Sequence, residues 1–166
     1  MKTTLKLMTV LFVTLLLSCG GKEEKKKESI SYGRKEAPAK KETPKEKAIL
    51  ASKKIDLTNK GLGPITSVTL DSEIDQKMVK HGEEVYKKMC TACHRADKKF
   101  IGPAPTGILE RRTPEWIMNM ILNPEQMVKE DPLAKELLME FNGSPMANQN
   151  LSKEDARAVL EYFRTL

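Results

Sequence analysis

Residues 90–94 read Cys-Thr-Ala-Cys-His and form the feature that most limits what this chain can fold into. Two thiols three positions apart, with an imidazole directly after the second, make a compact set of ligand or nucleophile side chains. The region around them, residues 72–166, is about 95 residues long, which is marginal for a hydrophobic core without a bound group. Whatever this cluster holds is therefore expected to be part of the core.

The N-terminus predicts export and lipidation. Lys2 and Lys6 precede an apolar run at 7–17, and Ser18-Cys19-Gly20 follows it, as in a signal peptide. The run is shorter than the ~20 residues that a transmembrane helix needs. We interpret residues 1–18 as a lipoprotein signal peptide and Cys19 as the acylated first residue of the mature chain; an ordinary cleaved signal is the alternative. The expected location is the bacterial cell envelope, lipid-anchored, facing the periplasm or on the outer membrane.

Residues 19–71 are interpreted as the lipidated cysteine and a flexible linker, in which 55–70 is more apolar and is a candidate to lie against the domain surface. They are rich in Lys, Glu and Pro, and such a composition buries too little apolar surface to offset the entropy cost of ordering. Residues 72–166 carry 14 lysine and arginine residues against 15 aspartate and glutamate residues. The basic charge therefore belongs to the first 71 residues, and we expect no nucleic-acid partner.

Residues 72–166 predict an all-α domain. Helix start signals stand at Ser72 or Asp71, at Thr113-Pro114, at Asp131-Pro132 and at Ser152. The corresponding helices are expected over about 73–89, from 114 to before Asn123-Pro124, from 132 to Phe141, and from 153 to the C-terminus. No alternating strand pattern occurs in 72–166.

Three kinds of site fit the Cys90–His94 cluster. Zinc needs four ligands, and His81, nine residues before Cys90, is the other histidine of the chain. A redox dithiol needs a strand before the first cysteine, and none is predicted. Covalent haem attachment has the spelling Cys-x-x-Cys-His, and it suits an exported chain. If Cys19 is acylated, Cys90 and Cys93 are the remaining two of three cysteines, so no separate disulfide is expected. We favour haem.

With this motif, residues 72–166 resemble the class I c-type cytochromes, which are mono-haem electron carriers. Gly82 and Tyr86 stand eight and four residues before Cys90, as in that family, and the final helix offers Val159 and Tyr162 to receive them. The resemblance implies a small helical domain wrapped round one covalent haem c, with thioether links at Cys90 and Cys93 and His94 on the iron. It also implies that the carbonyl of Pro103 accepts a hydrogen bond from His94.

The same resemblance implies a methionine as the second axial ligand, in a loop before the last helix. Gly143-Ser144-Pro145-Met146 is such a loop, so Met146 is the prediction, ahead of Met127 and then Met139. Arg111 and Arg112 are candidates for contact with the haem propionates, with a solvated turn as the alternative. Trp116 is a candidate for the haem environment, with plain core packing as the alternative.

These assignments predict a membrane-tethered one-electron carrier and not an enzyme, because protein ligands fill both axial positions. A His/Met pair raises the reduction potential relative to two histidines. The expected partners are a redox donor and acceptor, such as a membrane-bound respiratory complex or a terminal reductase or oxidase. Lys87, Lys88, Lys98 and Lys99 could guide docking. Two alternatives stay open: a haem-based ligand binder, sensor or peroxidase-like protein with a displaceable methionine, and a non-haem zinc module.

Overall fold

The structure is a computed structural model, and it describes residues 49–166. The signal peptide, Cys19 and the linker up to residue 48 lie outside the described residues. The described part contains five α-helices and two short 3₁₀ turns, Ala51–Lys53 and Ile108–Glu110. The helices are α1 Gln76–Met89, α2 Pro114–Leu122, α3 Pro124–Glu130, α4 Pro132–Glu140 and α5 Lys153–Phe163.

Within residues 49–166 the only β-type pairing is an isolated bridge between Asp56 and Arg112, and the predicted all-α class is confirmed. None of the helices in this range combines the length and apolar character required to cross a bilayer.

Three of the predicted helix starts are confirmed by side-chain caps. The Thr113 hydroxyl accepts a hydrogen bond from the backbone N–H of Trp116 at 3.1 Å. Asp131 caps α4 in the same way at 2.7 Å, and Ser152 caps α5 at 3.0 Å. Each cap satisfies an N–H group that has no partner within the helix. Short polar side chains placed just before an apolar helical pattern therefore fix where these helices begin.

The start of α1 differs from the prediction. Asp75, and neither Ser72 nor Asp71, caps the helix, and its carboxylate accepts from the N–H groups of Lys77 and Met78. The reason lies on α5: the Arg164 guanidinium donates to the carbonyl of Asp71, and the backbone N–H of Asp75 donates to Glu161. These bonds hold residues 71–75 against α5 in a non-helical path.

The close crossing of α1 and α5, which the resemblance implied, is the main helix contact. A Cβ at Gly82 would lie 1.9 Å from the carbonyl oxygen of Ala158, so only glycine allows this approach. One turn further along α1, the Tyr86 ring packs on Tyr162 and Phe163, with ring centroids 5.5 and 5.7 Å away. The crossing fixes the end of α1, where the Cys90–His94 motif begins.

The N-terminal segment, residues 49–71, packs on the helices. Buried polar side chains of the helical part hold its backbone: Arg112 donates to Ala51 O at 2.7 Å, and Asn119 donates to Lys60 O at 3.0 Å. In the same way the amide oxygen of Asn119 accepts from Ile65 N at 3.0 Å.

This placement agrees with the expectation for residues 55–70 and corrects the flexible-linker interpretation for the rest of 49–71. The folded unit includes the segment and does not begin at residue 72. Its composition favours a linker, but its order comes from polar partners on α2 and the turn before it, which bond to its peptide groups and are themselves buried.

Candidate functional site

A cavity with mainly apolar walls lies between the end of α1, α2, α4, α5 and the loops that precede α2 and α5. Every residue that the sequence analysis assigned to a haem site lines it: Cys90, Cys93, His94, Pro103, Arg111, Arg112, Trp116 and Met146. Met127 and Met139 are not among the lining residues. The fold thus brings the predicted set together although its members span 57 positions of the chain.

The end of α1 presents the motif to this cavity. The N–H of Cys90 makes the last α1 hydrogen bond, to Tyr86 O at 2.9 Å. The N–H groups of Cys93 and His94 then both donate to Cys90 O, at 3.1 and 2.9 Å. This tight turn holds both thiols and the imidazole against one cavity. Cys90 is half-buried and Cys93 exposed, and burial raises the pKa of the Cys90 thiol to about 11.

His94 is held in one orientation by the loop that follows it. Its Nδ1 lies 2.8 Å from the carbonyl oxygen of Pro103, which is the bond that the resemblance implies. The carbonyl can only accept, so Nδ1 carries the proton and Nε2 keeps its lone pair for a metal. A Cβ at Gly102 would lie 2.5 Å from Cε1 of His94. The ring therefore packs directly on the Gly102 backbone, a contact that the sequence analysis did not identify.

The two arginines differ in their contacts. Arg111 donates to Gly107 O at 2.9 Å and Thr106 O at 3.1 Å, so it stabilises its own turn. Arg112 is 3 % exposed and donates to the carbonyls of Ala51, Lys54 and Arg111. Within the described residues no carboxylate lies in salt-bridge range of Arg112, and burial, with the charge of Arg111, lowers its pKa. A buried cation with carbonyl partners alone on a cavity wall suits an anionic group in that cavity.

Trp116 forms part of the cavity wall through its ring. Its indole N–H donates to Asp131 Oδ1 at 3.3 Å, and the Arg112 guanidinium lies 5.3 Å from the ring centroid. The indole nitrogen already has a partner within the protein, and the ring contributes apolar surface and a position for Arg112.

Of the three methionine candidates, Met146 is the one that faces the cavity. Met127 is fully buried, and its sulfur accepts from Leu62 N at 3.0 Å, so it holds the N-terminal segment. Met139 is 71 % exposed on α4. Met146 is half-buried and packs against the core.

The loop that carries Met146 has a backbone with left-handed residues near both ends. Asn142 and Gly143 have φ of 59° and 72°, and Asn150 has φ of 52°. In residues 145–151 the hydrogen bonds are internal, from Gln149 to Ala147 and from Asn150 N to Asn148. Side-chain contacts, and not backbone hydrogen bonds, therefore hold the loop on the domain.

The sequence analysis missed part of the cavity wall. Ser52 of the N-terminal segment lines it, and so do Leu137, Leu138 and Phe141 from α4. The helical spacing of the α4 residues is a signal that could have found them. Ser52 stands in a Lys-rich stretch that has no such pattern. Its place in the cavity wall therefore follows from the fold and not from the sequence.

These features fit a covalent haem better than the other two readings. The two thiols, an oriented imidazole, a half-buried thioether, a buried cation and apolar walls all face one space. The Tyr86 hydroxyl, buried on the same wall, has no hydrogen-bond partner among the described residues. In residues 49–166 no group of three or more His, Cys, Asp or Glu side chains is arranged to hold a metal ion.

Comparison with known proteins agrees with this site. A family model described as cytochrome c matches residues 79–166. Cytochrome c from Rhodothermus marinus is 41% identical over 70% of this chain and 92% of its own, with a TM-score of 0.61.

Two structures of one engineered form of that cytochrome c are 40% identical over 70% of this chain and 93% of theirs. Their TM-scores are 0.60 and 0.58, and the second is bound to a carbene intermediate. No curated protein matches. The match to the cytochrome c family model over residues 79–166 and the 41% identical relative together show that this chain belongs to the cytochrome c family.

Proposed function

We propose that the protein is a one-electron carrier with a single haem c, attached through Cys90 and Cys93 and ligated by His94 and Met146. Haem-based electron transfer is the general activity of the family. The observation that carries the finer proposal is that His94, fixed by Pro103 O at 2.8 Å, shares one cavity with both cysteines and Met146. When bound, the haem supplies reversible exchange of one electron at its iron.

The chain's own residues set the conditions for that exchange. The hydrogen bond from Nδ1 to Pro103 makes His94 a stronger donor, while the Met146 thioether favours the reduced iron. The apolar walls exclude water, and Arg112 offers a positive charge to the propionates. With His94 and Met146 both assigned to the iron, no position there would be left for a substrate, so the proposed function is carriage of electrons and not catalysis.

We further propose that the domain works at a membrane of the cell envelope. The support is in the sequence: the signal-like residues 1–18, Cys19 as acylation site, and a charged stretch between Cys19 and the described residues. A lipid-anchored carrier stays close to membrane-bound donors and acceptors, which raises its effective concentration there. The exposed lysines near the motif, such as Lys88 and Lys98, give such partners a cationic surface to approach.

An optical spectrum tests the ligand assignment. Ferric protein with a methionine ligand shows a weak near-infrared methionine-to-iron band, and Met146→Ala should remove it and lower the reduction potential. Met139→Ala is the matched control, since Met139 is exposed on α4 and its loss should leave the band in place. Survival of the band in Met146→Ala would show that the ligand is another residue. Mass spectrometry of the 90–94 peptide tests the haem attachment itself.

A second candidate function, binding of a small ligand at the iron, is favoured by one observation. Residues 145–151 make hydrogen bonds only among themselves, so moving Met146 away breaks no backbone bond to the domain. The measurement is carbon monoxide binding to the reduced protein at neutral pH. Rapid and complete binding supports this ligand-binding function; slow, partial binding supports the carrier.

A further inference from the structure

Three large apolar side chains are exposed where the N-terminal segment enters the domain. Ile49 is 68 % exposed, Leu50 57 % and Met139 71 %. They line one shallow groove with Pro132 and the stems of neighbouring charged side chains. The other exposed large apolar side chains of the described residues stand outside this groove: Ile55 and Leu57 in the N-terminal segment, at 71 % and 55 %, and Phe100 and Ile101 beside the haem motif, at 45 % and 46 %. Exposed apolar surface of this kind marks an interaction site.

The groove lies on the outer face of α4. Pro132, Lys135, Glu136 and Met139 recur at helical spacing and line the groove, while Ala134, Leu137 and Leu138 line the haem cavity from the other face. Hydrogen bonds fix the groove's second wall: Ser52 donates from N and Oγ to Glu140 at 2.8 and 2.5 Å. The groove is thus a preformed surface, and α4 contributes one face to the groove and the other face to the cavity.

The chemistry of the groove suits a lipid surface better than a protein. Its apolar members are the aliphatic residues Ile49 and Leu50 together with Met139, and it lacks the Trp, Tyr and Arg residues that dominate protein–protein interfaces. Lys135 lines the groove and is exposed, so its stem can lie on the apolar surface while its amine reaches anionic headgroups. Glu136 is already paired with Lys54.

The course of the chain also points to a membrane. Residues 20–48 join Cys19 directly to Ile49 and carry ten lysine and arginine residues against six glutamates. A chain of 29 residues reaches at most ~100 Å. The groove therefore stays within reach of whatever surface holds the acyl chains, and a tethered contact needs little intrinsic affinity.

We propose that the groove formed by Ile49, Leu50 and Met139 docks the domain on the anionic bilayer that holds its lipid anchor. This inference rests on the proposed lipidation of Cys19. Docking in this way places the haem cavity about one helix diameter, ~10 Å, from the lipid headgroups. The carrier would then meet membrane-embedded donors and acceptors with its cavity already close to the surface.

The test uses the full lipidated holoprotein in vesicles of phosphatidylethanolamine and phosphatidylglycerol. A nitroxide spin label is placed at Met139→Cys, and in a second variant at Lys80→Cys on α1, which is also exposed. We expect the label at 139 to gain accessibility to oxygen and lose accessibility to a water-soluble nickel chelate on vesicle binding. The label at 80 should keep its aqueous values.

Matched variants sharpen this test. Ile49→Ser with Leu50→Ser should abolish the change at 139, whereas Leu57→Ser, with a similar exposure of 55 % at the starting residue, should leave it. Each variant is first checked for an unaltered haem spectrum. These side chains are exposed, so no loss of folding is expected.

Four outcomes are distinguishable. Lipid exposure at 139 that depends on Ile49 and Leu50 supports the proposal. Vesicles that float with the protein while both labels stay aqueous overturn the docking face and leave the lipid anchor standing. Spin–spin broadening at 139 overturns it in favour of contact between two copies. A mature chain without acyl groups that stays off the vesicles overturns both the anchor and the docking face.

Discussion

At the scale of single residues, Gly102 decides how closely the loop after the motif approaches His94. In Gly102→Ala the new methyl would lie 2.5 Å from Cε1 and 2.9 Å from Nδ1 of the imidazole, so the ring must move and its bond to Pro103 weakens. Loss of such a ligand-orienting bond typically costs 10–100-fold in metal affinity. We therefore expect His94 to dissociate at a lower denaturant concentration, measured by the change in the Soret band.

The neighbouring Phe100 provides the control for Gly102. Its backbone N–H donates to Gly102 O at 3.1 Å, and Phe100→Ala keeps that bond while it removes a half-exposed ring. The denaturant concentration at which half of the protein has lost His94 from the iron, the midpoint, should hardly shift in Phe100→Ala. Equal midpoints for wild type and Gly102→Ala would contradict the packing argument.

Glu161 is an ionised residue of α5 that contacts the start of α1. It is 1 % exposed and accepts from Arg157 and Arg164, each at 2.6 Å, and from Asp75 N at 3.1 Å. Burial alone would raise the pKa of Glu161, but the bonds from Arg157 and Asp75 and the two positive charges outweigh it, so the pKa lies below its usual value.

This depressed pKa sets the sign of a pH dependence. A carboxylate with a lowered folded-state pKa stabilises the fold above its unfolded pKa of about 4, and this contribution disappears as pH falls through the folded value. Glu161→Gln should thus lower the free energy of unfolding by about 2–4 kcal/mol at pH 7, with the difference shrinking below about pH 4. Urea unfolding followed by circular dichroism measures it. Glu154→Gln, exposed in the first turn of α5, should show little effect at any pH.

At the scale of elements, the crossing of α1 and α5 depends on one missing methyl group. Gly82→Ala would place Cβ 1.9 Å from Ala158 O and 2.4 Å from Ala158 C, which forces the helices apart. Overpacking of this kind costs about 3 kcal/mol or more, and a thermal melt of the holoprotein measures the loss.

Gly143→Ala separates this steric effect from simple loss of glycine. Gly143 has a φ of 72° and no atom near the added Cβ, so only the left-handed backbone is penalised, by about 1 kcal/mol. If Gly82→Ala lowers the stability of the holoprotein by no more than Gly143→Ala does, the helices separate easily and the steric argument is wrong.

The elements that the sequence predicted share one property: a local signal. Thr113-Pro114, Asp131-Pro132 and Ser152 each combine a cap with a following helical pattern, and the structure uses all three. The fourth start was misplaced because residues 71–75 bond to Arg164 and Glu161, about 90 positions away in sequence.

Helix α3 was not predicted because Asn123-Pro124 reads as an end signal. Here it ends α2 and begins a seven-residue helix at the same point. Proline fits both roles, since it disrupts a preceding helix and suits the first turn of the next one. The second role is used here, and the Met127 sulfur of this helix accepts a hydrogen bond from Leu62 N in the N-terminal segment.

The site shows the same division between local and distant information. The Cys90–His94 motif specifies its own turn through hydrogen bonds to Cys90 O, so it could be identified from five residues. The contacts of Arg112 could not, because two of its three carbonyl partners lie in the N-terminal segment. A buried polar side chain gives no sign in the sequence of which distant peptide group it satisfies.

At the scale of the whole molecule, the buried polar side chains of the helices make the N-terminal segment part of the fold. Asn119 bonds to Lys60 and Ile65, Glu115 to Val68 N, and Asp131 to the Asn59 side chain. Removing the segment leaves these groups without those partners and exposes the apolar surface that it covers. Each unsatisfied buried group costs about 1–3 kcal/mol, although water can replace part of the loss.

Two truncations therefore separate the predicted boundary from the observed one. A secreted chain that begins at residue 49 should retain the haem spectrum and most of its resistance to urea, because the contacts described here remain. A chain that begins at residue 72, where the composition changes, should lose several kcal/mol, about the sum of three or four unsatisfied groups, and yield little holoprotein. Urea unfolding monitored by the Soret absorbance gives a midpoint for each truncated chain, and the two midpoints are compared. Equal midpoints would mean that the helices satisfy their polar groups without residues 49–71. Residues 72–166 would then form a stable domain by themselves, and the segment would add no stability.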